Sequence, residues 1–97
     1  MVIWTPRARA DLKAIHDHIA RDAQINARRV TQQILDKAAS LENFPGTHKR
    51  VPEARIHDLH EVSVSAWRLI YHPRNNDIFI VTVVHKRQRL NEDQLQH

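Results

Sequence analysis

An α+β fold is predicted, in the order β-α-α-β-β-β, with a helical hairpin packed on one face of a small, largely antiparallel sheet. Three observations predict it. Apolar residues recur at steps of three and four as far as Leu41 and alternate with polar ones from Glu61 onward, and those two periods belong to helix and strand. Between them Thr47 to Glu53 is polar and basic, with no apolar face. The chain has 97 residues, which suits a single core of roughly 100 residues and leaves no room for a second domain. Residues 1–90 are read as that domain and 91–97 as a polar tail.

The elements follow in order. Val2-Ile3-Trp4 carries strand-type residues, and Thr5-Pro6 supplies an N-cap followed by proline at the first helical position. Ala8, Leu12, Ile15 and Ile19 then draw one apolar stripe along a helix. The pattern weakens at Asp22 to Asn26, and Ala27, Val30, Ile34, Ala38 and Leu41 draw a second stripe, which Phe44-Pro45-Gly46 ends. Two helices joined by so few residues lie roughly antiparallel. Val62 and Val64 alternate with Glu61 and Ser63, and Trp67, Leu69 and Tyr71 alternate with Arg68, Ile70 and His72. Ser65-Ala66 fits only a tight hairpin, and Pro73 to Asp77 is read as a second turn. Ile78 to Val84 is apolar on both faces and is expected as a central strand. One helical hairpin covers one face of it, and the polar tail is too short to cover the other. A partner chain is therefore expected on the sheet or on the helix pair.

Composition excludes several classes of function. There is no cysteine, hence no disulfide, no thiolate metal site and no cysteine nucleophile, which suits a reducing cytoplasm. The apolar run from Ile78 to Val84 falls far short of the roughly 20 residues of a membrane helix, and no membrane partner is expected. The single glycine rules out most phosphate and dinucleotide loops, so no cofactor is expected. His16-x-His18 and His57-x-x-His60 place their rings on different faces of a helix or strand, so no metal site is expected either. A formal charge of +4 and a pI near 10.1 favour an anionic partner, nucleic acid or acidic protein.

The candidate site residues are charged ones in or beside strands. Arg68, between Trp67 and Leu69, is either paired with a carboxylate, with Glu61 on the neighbouring strand in reach, or aimed at an anion. His85 ends the last strand and is followed by Lys86, Arg87 and Arg89, a cation cluster able to grip phosphate next to a group that titrates near neutrality. Lys49 and Arg50 belong to the basic loop. Lys49, Arg50, Lys86 and Arg89 are read as contacts to a nucleic acid or other target.

With its element order, the chain resembles the RelE/ParE superfamily of bacterial type II toxins. The resemblance rests on Trp4-Thr5-Pro6-x-Ala8-x-x-Asp11-Leu12, Ile19-Ala20, Leu41-x-x-Phe44-Pro45, Val51-Pro52-Glu53, Asp58-Leu59-His60-Glu61, Trp67-Arg68-Leu69-Ile70-Tyr71 and His85-x-Arg87. It implies a toxin of the bacterial cytoplasm, neutralised by a small acidic antitoxin. Two activities share the fold. RelE-like members cut messenger RNA on the ribosome, which would give catalytic roles to Arg68 and Arg87 on phosphate and, in a YoeB-like variant, to Glu53 as base and His85 as acid. ParE-like members block DNA gyrase. Glu61 and Ser63 stand where RelE-like enzymes carry lysines, no tyrosine follows in the tail, and the helix ending Phe44-Pro45 looks like ParE. Gyrase inhibition is the expectation, with ribosome-dependent cleavage of messenger RNA as the alternative.

Overall fold

The computed structural model of the protein describes residues 1–43, 48–54 and 58–95. Its elements are β1 (Val2–Trp4), α1 (Pro6–Ala20), α2 (Gln24–Ser40), β2 (His60–Val64), β3 (Trp67–Arg74), β4 (Asp77–His85) and α3 (Glu92–Leu95). The expected order is present, with one short helix added at the end. The sheet order is β1-β4-β3-β2. β4 pairs in parallel with β1 and antiparallel with β3, and β3 is antiparallel to β2. Ile78 to Val84 thus occupies an inner strand, as its two apolar faces require. The helix-ending Phe44-Pro45-Gly46, like His57, lies outside the described residues.

Thr5 joins the first strand to the first helix. Its hydroxyl accepts from the amide of Ala8 at 3.1 Å, capping α1, and its single proton lies within reach of the carbonyls of Ile80 and Val81 at 2.8 and 3.1 Å. Where β1 stops, opposite Ile80, β4 loses its strand partner on that side. Asp11 of α1 replaces it, its carboxylate accepting from the amide of Val83 at 3.1 Å and from the hydroxyl of Thr82. A side chain here supplies a part-buried ladder bond that the chain has run out of backbone to make.

Both helical stripes face the sheet. Ala8, Ile15, Val30, Ile34, Ala38 and Leu41 are buried against Leu69, Tyr71, Ile78, Ile80 and Val83, with Leu12, Ile19 and Trp67 partly buried around them. α2 begins at Gln24, inside the stretch where the pattern weakens, and its Ile25 is 86% exposed. That exposure is why the stripe is not visible until Ala27.

The β3–β4 turn is tighter than expected. Arg74 pairs with Asp77, so the turn is Asn75-Asn76, with Asn75 at φ 56°, a left-handed conformation that asparagine tolerates. Pro73, expected in the loop, lies in β3 opposite Ile78. The amide of Ile78 donates to the carbonyl of Met1, just before β1, so this pair exchanges no ladder bond, and β2 reaches no further along β3 than Tyr71. No amide is needed at Pro73, and the strand passes through it. A bulge between Ile70 and Tyr71 leaves Val81 of β4 without a β3 partner.

The second face of the sheet corrects the expectation that only a partner could cover it. Ile70, Val81 and Val84 are buried beneath Val51, Leu59, Leu90 and Leu95, with Ala54 packed alongside. Leu95 in the polar tail is 1% exposed. Four isolated apolar residues in polar surroundings carry no period, so their common destination is not visible along the chain.

Candidate functional site: an ionic groove on the second face

The β2–β3 register builds the site. Glu61 lies opposite Ile70 and Ser63 opposite Arg68, so Glu61 and Arg68 are diagonal neighbours on the face away from the helices. Both are buried, at 5% and 9% exposure, and a buried charge is held only with partners. Arg68 Nε donates to Glu61 Oε2 at 2.7 Å, and Nη2 lies 2.5 Å from the same oxygen. Nη1 and Nη2 donate to the two oxygens of Glu53 at 3.0 and 2.9 Å, and Nη1 donates again to the carbonyl of Gln88 at 3.1 Å. These are five contacts for a group with five N–H donors. Lys49 Nζ meets the other oxygen of Glu61 at 2.9 Å. Hydrogen bonds from Arg68 hold the Glu53 carboxyl at about 2, far below its usual 4.5, with the amide of Leu90 assisting. The two carboxylates, Glu53 foremost, raise the guanidinium above its ordinary value.

Around this network lies an open groove of about 820 Å³, lined by Lys49, Glu53, Glu61, Arg68 and the segment from Lys86 to Leu90. The structure therefore brings six of the sequence candidates together: Lys49, Glu53, Arg68, Lys86, Arg87 and Arg89. It does not bring His85. That ring packs edge-on against Trp67 at 5.4 Å between centroids, and its Nδ1 accepts from the amide of Arg87 at 3.2 Å. Trp67 packs on the helix-covered core, so His85 sits on the side opposite Arg68. Arg50 also stands apart, bridged to His60 in the backbone and 3.4 Å from Asp58.

Sequence reasoning placed Glu61 beside Arg68 but missed that Glu53 and the carbonyl of Gln88 close the same ring. Nothing local signals it, because the three lie on separate segments. A second polar cluster flanks Tyr71, whose hydroxyl is 2.9 Å from His48 Nδ1 and whose ring stacks on His60. Burial pushes the Tyr71 phenol up to about 12, and burial together with Lys37 and His60 lowers His48. Among the described residues no group of three or more histidine, aspartate or glutamate side chains is placed to hold a metal ion. No described helix is long and apolar enough to cross a membrane.

In chemical terms the groove has an occupied centre. Its buried arginine is saturated by carboxylates. Its one near-catalytic acid, Glu53, is held too far down to serve as a base near neutrality. Lys86, Arg87 and Arg89 are exposed along its rim.

A solved structure from the chromosomal ParDE toxin-antitoxin system of P. aeruginosa has this fold, with a TM-score of 0.74 and 20% identity, over 87% of this chain and 92% of that one. Toxin RelE2 of Caulobacter vibrioides is 32% identical over 84 residues, 87% of this chain and 92% of the relative. The model of the ParE toxin of the type II toxin-antitoxin system parDE matches residues 2–90. The chain belongs to this ParE family of type II toxins, within the RelE/ParE superfamily, and membership implies an antitoxin partner.

Proposed function

We propose that this toxin acts by binding and inhibiting DNA gyrase, and that it is neutralised by an acidic antitoxin. The observation that carries the reading is the saturation of Arg68. In an RNA-cutting enzyme that arginine would have to stabilise charge developing on phosphate, yet all five of its donors already face Glu53, Glu61 or the carbonyl of Gln88. A phosphate would need to displace two carboxylates from a largely buried site. The general-acid role fares no better, since His85 packs on Trp67 across the sheet. Inhibition by binding needs no proton transfer, and exposed cations around a groove suit an acidic protein surface.

The test is a parallel assay of the purified toxin, freed of antitoxin, on gyrase supercoiling and on translating ribosomes. Inhibited supercoiling with intact transcripts is expected. Transcripts cut on ribosomes by the wild type, with supercoiling unaffected, would replace this reading with the RelE-like one.

A further inference from the structure

Glu53 does more than neutralise Arg68. Its Oε2 accepts from Arg68 Nη1 at 3.0 Å and from the backbone amide of Leu90 at 3.1 Å. The same Nη1 donates to the carbonyl of Gln88. The chain leaving β4 is thus tied at two backbone points to one carboxylate-guanidinium pair, on either side of Arg89. A third tie, from the amide of Lys86 to the carbonyl of Ala66 at 2.8 Å, fixes its start. Leu90 is buried at the far end, while residues 86–89 are exposed. Lys86, Arg87 and Arg89 make no ion pair among the described residues. The result is an exposed, irregular segment with its backbone held and its three cations unspent.

Such an arrangement has a physical use. Ordering a flexible basic segment on binding costs conformational entropy, and holding it beforehand removes that cost. The two ties to the Arg68–Glu53 pair are charge-assisted and partly buried, so they outlast the salt that weakens the exposed cations. Arg68 and Glu61 cannot reach a partner without breaking their mutual bonds, whereas the rim cations can.

We propose that Glu53 is a positioning residue: with Arg68 it holds residues 86–90 so that Lys86, Arg87 and Arg89 meet an acidic surface of the toxin's protein target as a fixed array. This rests on the reading that the toxin acts by binding a protein. It reassigns Glu53 and Arg68 from the catalytic roles of the ribonuclease alternative to support, and places recognition in the segment after β4.

Two measurements on the full chain test it, comparing Glu53→Ala with Glu53→Gln, which keeps an oxygen for the Leu90 amide. In hydrogen exchange, Glu53→Ala is expected to speed the Leu90 amide about tenfold more than it speeds the amides of β3, with much of that protection restored in Glu53→Gln. Equal acceleration of Leu90 and β3 would show a general loss of stability and overturn the positioning role. In cells, at matched soluble protein, Glu53→Ala is expected to raise the toxin level needed to halve growth roughly fivefold, but to add nothing to a variant with Lys86→Ala, Arg87→Ala and Arg89→Ala. Full toxicity of that triple variant, or a further loss on adding Glu53→Ala, would also overturn the proposal. Neither arm presupposes gyrase, so wild-type failure in the supercoiling assay would sink the proposed target alone. Transcript cleavage lost in the triple variant would identify the anion as RNA phosphate and refute the acidic-protein assignment.

Discussion

Arg68 illustrates how one side chain changes meaning between the chain and the fold. An arginine reaching for a ligand can be removed with the fold intact, but one set between the buried carboxylate of Glu61 and the half-buried one of Glu53 cannot, because its removal strands their charges. Arg68→Ala is therefore expected to destabilise the protein by about 3 to 5 kcal/mol, read as a fall in the denaturant midpoint at pH 7. An unchanged midpoint would mean that Glu53 and Glu61 do not depend on it. Glu53 adds a pH signature. Its folded carboxyl lies at about 2 against 4.5 for the free group, so the unfolded chain binds the proton first as pH falls. The stability from this ionised carboxylate is fully present above 4.5 and is lost progressively from there toward 2. Stability curves of the wild type and Glu53→Gln should converge across that interval, and parallel curves would refute the pairing.

At the scale of elements, the short α3 has more importance than its length suggests. It carries Leu95 onto the second face, beside Leu90, Val51 and Leu59. Leu95→Ala is expected to cost about 2 to 5 kcal/mol, as for other fully buried leucines, and Leu41→Ala on the opposite face should cost a similar amount. Thermal melts of the two variants side by side provide the check. If only Leu41→Ala lowered the melting temperature, the tail would not be part of the fold. The same packing explains why the two faces of β4 looked so different in the sequence. The helices announce their cover by period, while the second cover is assembled from single residues 51, 59, 90 and 95.

At the scale of the molecule, the excess of cations acts over distance. The formal charge is +4, and the exposed rim of the groove contributes Lys86, Arg87 and Arg89. Reversing one rim charge, as in Arg87→Glu, is expected to slow association with an acidic partner roughly tenfold at low salt and to reduce the salt dependence, with little change in stability. Binding kinetics with the antitoxin at two ionic strengths measure both effects. Weaker binding through faster dissociation, without any change in association rate, would argue that Arg87 lies outside the encounter surface.

The sequence by itself left Arg68 either paired with Glu61 or aimed at an anion, but it determined the element order, the helical cap at Thr5-Pro6, both apolar stripes and the inner position of Ile78 to Val84. Each of these is a local or periodic property, decided by residues within a few positions or by the two-residue alternation of adjacent strands. The candidate cations were legible individually too. Only the tertiary structure decided that Glu53 and the carbonyl of Gln88 join Arg68, that His85 turns to Trp67 on the other face, and that Leu90 and Leu95 close the sheet. Those contacts join segments 15 to 37 residues apart in the case of Arg68 and Glu53 and of Glu53 and Leu90. Closing such loops depends on where the whole sheet places their ends, and no pattern along the chain encodes that position.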